Sequence, residues 1–322
     1  MNNIYPNKLK NGDEIRVIAP AKSFKSTFTT EMRDLAIQRL ESLGLKVSFG
    51  KHANEVNEFE STTIEHRLED LHDAFKDSNI KAILTVLGGT TSNQLLKYLD
   101  YELIKENPKI LCGLSDITSL ANAIYTKTGL VTYSGPHFTL FGAAKQTEYT
   151  TNYFKKCFFT EDAFDVKPSD MFCNSRWDND EIKNEEDWVI NAGRAEGTII
   201  GGNLITLNLL QGSEYMPDLS NSILFIEDNG KESFRAFENH LQSLVNQPSF
   251  SGVGGVVIGR FQADTKMTRD LLTKIIKTKN ELANIPVIAN LDFGHTTPMF
   301  TFPIGGECLI DTANLKVEII KH

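Results

Sequence analysis

The stretch Lys81-Ala82-Ile83-Leu84-Thr85-Val86-Leu87-Gly88-Gly89 decides the fold. Its apolar run lacks the polar alternation of a half-solvated strand, which predicts a strand buried on both faces. The paired glycines predict a tight turn at its end. Working outward, 14–19 is another apolar run, leading into Ala19-Pro20-Ala21, and 30–43 follows with helical periodicity. A second strand is expected at 45–49, a second long helix at 65–76 and a further short strand at 110–112. After Asp116, the residues Ile117, Leu120, Ala121 and Ile124 recur at i, i+3, i+4 and i+7, the spacing of one helix face. Alternating strands and helices with short connections predict an α/β fold, a parallel sheet covered by helices. Ligands of such sheets bind beyond the carboxyl ends of the strands, where Gly88-Gly89 and Ser115 fall.

At 322 residues the chain exceeds a usual single core, so two domains are expected. The division predicted is 1–165, a linker and substrate loop at 166–195, and 196–322. Between about 141 and 195 the periodicity dissolves into a polar, acidic stretch carrying Trp177 and Trp188, which reads as an interdomain link with a mobile loop. Order returns with strands at 222–226, 254–258 and 285–288, a helix at 232–246, and β runs at 307–310 and 315–320.

The net charge of −9 argues against nucleic acid or an anionic membrane as the main partner. The first residues, Met1-Asn2-Asn3-Ile4-Tyr5-Pro6, lack the apolar run of a signal peptide. No segment approaches the roughly 18 apolar residues of a membrane span. Cysteines 112, 157, 173 and 308 form no C-x-x-C pair, so neither a zinc site nor a disulfide framework is expected. A cytoplasmic location follows from these features.

Gly113-Leu114-Ser115-Asp116 joins a short buried strand to a helix, the setting of a nucleophile elbow. The same pattern suits a serine that merely caps the helix. Position 117 is Ile, so the G-x-S-x-G signature is incomplete. A serine nucleophile needs a base, and the base needs an orienting carboxylate. Of seven histidines, His295 is best placed, in a turn-rich segment after the strand at 285–288. Glu227 ends the apolar run Ile223-Leu224-Phe225-Ile226, where a strand would present it at the sheet end; a plain strand-end carboxylate reads equally well. His52, His66, His72 and His240 read as surface residues and His137 as ambiguous. No H-E-x-x-H occurs and Gly201-Gly202-Asn203 is no phosphate loop, so no metal and no cofactor are expected.

Taken in order, these motifs resemble the LD-carboxypeptidase family of serine peptidases, and within it the microcin C self-immunity (MccF-like) branch. The likeness rests on Val17-Ile18-Ala19-Pro20-Ala21, Leu87-Gly88-Gly89-Thr90-Thr91-Ser92-Asn93, Gly113-Leu114-Ser115-Asp116 and Tyr133-Ser134-Gly135-Pro136. It continues through Glu196-Gly197, Gly201-Gly202-Asn203-Leu204, Phe225-Ile226-Glu227-Asp228 and Phe293-Gly294-His295-Thr296. The resemblance implies a Rossmann-like N-terminal domain and a smaller C-terminal α/β domain of swivelling type, with the site between them. It implies a triad of Ser115, Glu227 and His295, an oxyanion hole at Gly89 and Asp116, and a homodimer.

Members divide between trimming murein tetrapeptides and cleaving the amide that joins a peptidyl-aspartate to a nucleotide-like group. Trp177 beside Arg176 suits stacking on a purine, worth about 1–3 kcal/mol. Lys231 and Asn203 match polar substrate contacts of the MccF-like branch, and Gly88 lines the same turn. A peptidyl-nucleotide substrate is therefore expected, with a murein peptide as the alternative. Ordinary α/β-hydrolases share the order nucleophile, acid, histidine, but Ile117 and the two-half organisation speak against one. A non-catalytic binding protein, with Ser115 as a cap, is the remaining reading.

Overall fold

The computed structural model describes residues 3–322 apart from Thr27, Arg176, Asn179, Lys231 and Glu232. The first unit runs β1 (Glu14–Ile18), α1 (Thr30–Ser42), β2 (Lys46–Phe49), α2 (Ile64–Lys76) and β3 (Ile80–Thr85). It continues with α3 (Tyr101–Glu106), β4 (Ile110–Gly113), α4 (Ile117–Thr128) and β5 (Thr132–Ser134). These five strands are mutually parallel, in the order β5-β4-β3-β1-β2. The order reverses between β1 and β3, which opens a crevice beyond their carboxyl ends.

The connecting region is more ordered than the sequence suggests. It holds α5 (Thr147–Phe159), β6 (Phe164–Asp165), and a hairpin of β7 (Met171–Phe172) and β8 (Ile182–Lys183). Helix α5 buries Tyr153, Phe154, Cys157 and Phe158 on one face. The period is present in the sequence, but Thr, Tyr, Phe and Cys are mediocre helix formers, and packing supplies what propensity lacks.

The second unit comprises β9 (Trp188–Asn191), β10 (Arg194–Asn203), α6 (Leu204–Asn208), β11 (Ser222–Glu227) and α7 (Phe234–Val245). Then follow β12 (Gly255–Gly259), α8 (Arg269–Lys277), β13 (Val287–Leu291), β14 (Phe302–Ile304), β15 (Glu307–Asp311) and β16 (Lys316–Lys321). Eight strands form its sheet in the order β6-β16-β15-β10-β11-β12-β13-β9, with β10 to β13 parallel.

The two sheets exchange chain. Strand β14 pairs antiparallel with β5 of the first sheet, while β6 pairs with β16 of the second. One apolar cluster spans both, joining Cys112, Tyr133 and Phe138 to Phe225, Val257 and Ile288. At its centre the rings of Phe225, Phe293, Phe300 and Phe302 lie 4.9–6.4 Å apart. Burying each contributes about 1.5–3 kcal/mol, so the units hold one relative placement.

Helix α4 fastens them at the site. Asn122 Nδ2 donates to the Gly201 carbonyl at 2.8 Å, and the Asn203 N–H donates to Thr118 Oγ1 at 2.9 Å. A Cβ on Gly202 would lie 2.4 Å from that same Thr118 oxygen, so glycine is required for the approach. The four cysteines are free and buried, and among the described residues no helix is long and apolar enough to cross a membrane.

Candidate active site

Strand β4 is wholly buried, and the chain turns sharply out of it through Leu114 and Ser115 into α4. Ser115 has φ +63°, the left-handed region that a non-glycine residue rarely occupies. A Cβ on Gly113 would meet Thr85 Oγ1 at 2.4 Å and Ile117 Cγ2 at 2.8 Å. Ile117 thus packs over Gly113 in the space where a G-x-S-x-G elbow would have its second glycine. Gly88 is equally constrained, since its Cβ would fall 2.9 Å from Ser115 Cβ.

Ser115 is not the helix cap. Asp116 holds that position, and its side chain instead accepts the N–H groups of Thr91 at 3.0 Å and Ser92 at 2.9 Å. Ser92 Oγ donates back to the Asp116 carbonyl at 2.7 Å. These bonds hold the turn after β3 against the elbow. Burial pushes the Asp116 carboxyl up, against the lowering effect of its N–H donors. The backbone N–H groups of Gly89 and Asp116 donate to no carbonyl among the described residues.

Three side chains from distant parts of the chain meet here. His295 Nε2 lies 3.1 Å from Ser115 Oγ, and His295 Nδ1 lies 2.7 Å from Glu227 Oε2. Glu227 ends β11 and is completely buried, while the imidazole is about one-fifth exposed. Two glycines make room for the acid: a Cβ on Gly294 would be 2.8 Å from Glu227 Oε2, and one on Gly259 would be 3.0 Å from Glu227 Cβ. With Glu227 accepting from Nδ1–H, Nε2 is left as the acceptor facing the serine hydroxyl.

Asn203 departs from the expected substrate contact. It is 2% exposed, Nδ2 donates to Glu227 Oε1 at 3.1 Å, and Oδ1 caps α6 by accepting from Thr206 N and Oγ1. Strands β10 and β11 pair in parallel with Asn203 opposite Glu227, so the register itself aims the amide at the acid. The side chain thus has protein partners at both its amide nitrogen and its amide oxygen. Lys231 lies outside the described residues.

A cavity of about 500 Å³ opens over Ser115 and His295, walled by Gly88, Gly89, Lys22, Glu60, His137 and Trp177. Trp177, 44% exposed, lies in the irregular stretch that joins β7 to β8. The base of that hairpin is bolted to the histidine segment. Ser169 donates to Asp292 through N at 2.6 Å and Oγ at 2.9 Å, and Arg260 Nη1 donates to Asp292 at 2.5 Å. Arg260 also donates to Asn184 Oδ1 at 2.7 Å. Cys173 and Thr297 exchange backbone hydrogen bonds. None of these supports was singled out from sequence; Asp292, three residues before His295 at the end of a buried strand, was the available signal. His137 is buried beneath the cavity and hydrogen-bonds Thr85 Oγ1 at 2.9 Å. His52 is also buried, at 4% exposure, contrary to its surface reading.

A serine, a histidine and a buried carboxylate in hydrogen-bonded series, under a cavity at the carboxyl ends of two sheets, are the parts of an acyl-transfer site. The family model for the LD-carboxypeptidase N-terminal domain matches residues 15–135, and that for the C-terminal domain matches 196–310. The chain belongs to the LD-carboxypeptidase family. It is therefore a serine-type peptidase. The Bacillus subtilis (strain 168) protein YocD is 51% identical, covering 99% of this chain and 100% of its own length. The microcin C7 self-immunity protein MccF of Escherichia coli is 32% identical over 94% of this chain and 92% of its own. A probable murein peptide carboxypeptidase of Bacillus subtilis (strain 168) is 30% identical over 99% and 95%. Among solved structures, an MccF-like protein of Bacillus anthracis str. Ames superposes with a TM-score of 0.96 at 51% identity, over 99% of this chain and 100% of that one. MccF in complex with aspartyl sulfamoyl adenosine gives 0.88 at 29% identity, each chain covered to 99%. This LD-carboxypeptidase family member thus stands almost equally far in sequence from the MccF and murein relatives.

Proposed function

We propose that this chain hydrolyses the amide between an aspartyl or peptidyl acyl group and a nucleotide-like group, as in microcin C-type detoxification. Ser115 Oγ attacks the carbonyl carbon while its proton passes to His295 Nε2, and Glu227 stabilises the resulting imidazolium through Nδ1–H. The N–H groups of Gly89 and Asp116 receive the oxyanion, the second at the positive end of α4. Collapse of the tetrahedral intermediate breaks the C–N bond, and the leaving nitrogen takes the proton from His295. Water, deprotonated by His295, then attacks the acyl-enzyme and releases the acid and Ser115.

The observation that carries the substrate choice is Trp177, whose half-exposed indole lines the same cavity as Ser115. An aromatic face lining the nucleophile's own cavity suits a base stacked on the leaving side of the scissile bond. The sulfamoyl nucleoside bound by MccF supports the same chemistry. Lys231, four residues past Glu227, is assigned to the polar end of the substrate. As part of this reading the chain works in the cytoplasm as a homodimer, and sedimentation velocity measures that mass directly.

Mass spectrometry of two incubations tests the proposal, one with aspartyl sulfamoyl adenosine and one with a murein tetrapeptide. Cleavage of the first, with Trp177→Ala reducing it roughly tenfold or more, is the expected result, equivalent to the loss of one stacking contact. Cleavage of the tetrapeptide alone makes the chain a murein carboxypeptidase and overturns the nucleotide reading.

A further inference from the structure

Away from the triad, the segment after β2 and the start of α2 bring together His52, Glu55 and His66, whose ligand-capable atoms all lie within 4.8 Å of one another. His52 Nδ1 is 2.8 Å from Glu55 Oε1, and His66 Nδ1 is 2.6 Å from Glu55 Oε2. The two imidazoles stack at 3.9 Å with an interplanar angle of 18°. We propose that these three side chains form a site for one divalent transition-metal ion of the zinc class, separate from the catalytic centre.

The cluster calls for positive charge at its centre. His52 Nε2 lies 3.1 Å from Glu69 Oε2, so both of its ring nitrogens face carboxylates. With Nε2–H given to Glu69, Nδ1 turns a lone pair toward Glu55, an arrangement that a cation between them relieves. A proton on Nδ1 serves for His52 alone. Protonating both rings would stack two cations face to face. A divalent ion places two positive charges at a single point and satisfies both nitrogens and the carboxylate together.

The donor set matches the chemistry. Two imidazoles and one carboxylate are a recurrent three-ligand set for Zn²⁺, with the fourth position left to water. The supporting contacts are also those of a metal site. Glu69 orients His52 through the other ring nitrogen, Thr62 Oγ1 donates to Glu55 Oε2 at 2.7 Å, and Asp70 accepts the His52 N–H. Thr63 caps α2 by accepting the His66 N–H at 3.2 Å, which fixes that ligand in the first helical turn.

The consequence reaches the active-site rim. Between the ligands the chain carries Glu60, which pairs with Lys22 at the cavity wall, and Ser61, whose Oγ donates to the Ala21 carbonyl at 2.5 Å. An ion joining His52, Glu55 and His66 ties both ends of this rim segment together. The ion is structural, and the chemistry at Ser115 does not pass through it.

Calorimetric titration of the chelator-stripped full chain with Zn²⁺ tests the site, with melting temperature followed alongside. One ion per chain and a raised melting temperature are expected. His66→Ala and, independently, Glu55→Gln should weaken binding by on the order of 100-fold or more, and Glu69→Gln by about 10–100-fold. Labelling of Ser115 by a serine-directed phosphonate reports that each variant is folded. Absence of saturable one-to-one binding in the unmodified chain overturns the proposal. So does binding that His66→Ala and Glu55→Gln leave unchanged, because the ion would then sit elsewhere, for example on the triad histidine.

Discussion

Replacing Asn203 by leucine tests how Glu227, the proposed triad acid, is held. Among the described residues the fully buried Glu227 carboxylate has two side-chain hydrogen-bond partners, His295 Nδ1 at 2.7 Å and Asn203 Nδ2 at 3.1 Å. Leucine keeps the branched shape, excludes water and removes the second donor. A hydrogen bond to a charged group is worth about 1.5–3 kcal/mol. Its loss leaves the buried carboxylate less well held and less able to stabilise the imidazolium, so kcat should fall about 10–100-fold near neutral pH. KM should stay within about twofold, because the change falls on charge developed in the transition state. Leucine also removes the α6 cap, at about 1 kcal/mol of stability, and Asn203→Ser restores that cap without reaching Glu227. Steady-state kinetics from about pH 5 to 9 decide the matter. A raised KM with unchanged kcat would refute the argument and return Asn203 to substrate binding.

Gly88→Ala puts a methyl 2.9 Å from Ser115 Cβ, so the elbow must shift; it should cut kcat roughly tenfold or more and cost about 1–3 kcal/mol of stability. Unchanged turnover would show that the elbow yields freely. Thr118→Val leaves the buried Asn203 N–H without its acceptor, costing about 1–3 kcal/mol, which thermal melts followed by circular dichroism will register. An unchanged melting temperature would mean that α4 does not fasten the two sheets. Asp187 is pushed up to about 7, first by burial and then by the nearby Asp292 carboxylate. Its folded value exceeds the ordinary value of about 3.9, so the native state holds a proton that the unfolded chain releases. That contribution is full below about pH 4 and is lost as pH rises through about 7. Asp187→Asn should therefore match the parent in acid and exceed it by roughly 2–4 °C at about pH 8, the equivalent of about 1 kcal/mol. A gap that does not widen between those pH values would count against the assignment.

Much of the fold was legible because its elements are locally consistent. The buried runs that became β1, β3, β4 and β11, and the amphipathic spacing of α2, α4 and α7, each carry their own signal within about two turns of chain. Strand β10 escaped because Gly197, Gly201 and Gly202 weaken any strand reading, yet each is needed where Asn221, Phe225 and Thr118 approach too closely for a Cβ. Strand β14 escaped because its partner β5 lies about half the chain away.

The sequence by itself determined the alternation of strands and helices, the strand ends that carry Ser115 and Glu227, and, through ordered motifs, the family. Capping and nucleophilic attack share one local pattern, and only tertiary structure gives the cap position to Asp116 and sets Ser115 Oγ against His295. Ser115 became the partner of His295 only when φ +63° and the docking of α4 on β10 brought Oγ within 3.1 Å of Nε2. It likewise set Asn203 against Glu227, and gathered His52, Glu55 and His66. Hydrogen bonds act over about 3 Å, whereas sequence patterns report only which face of an element is buried. Residues from separate elements are therefore paired by packing, and no local pattern records the pairing.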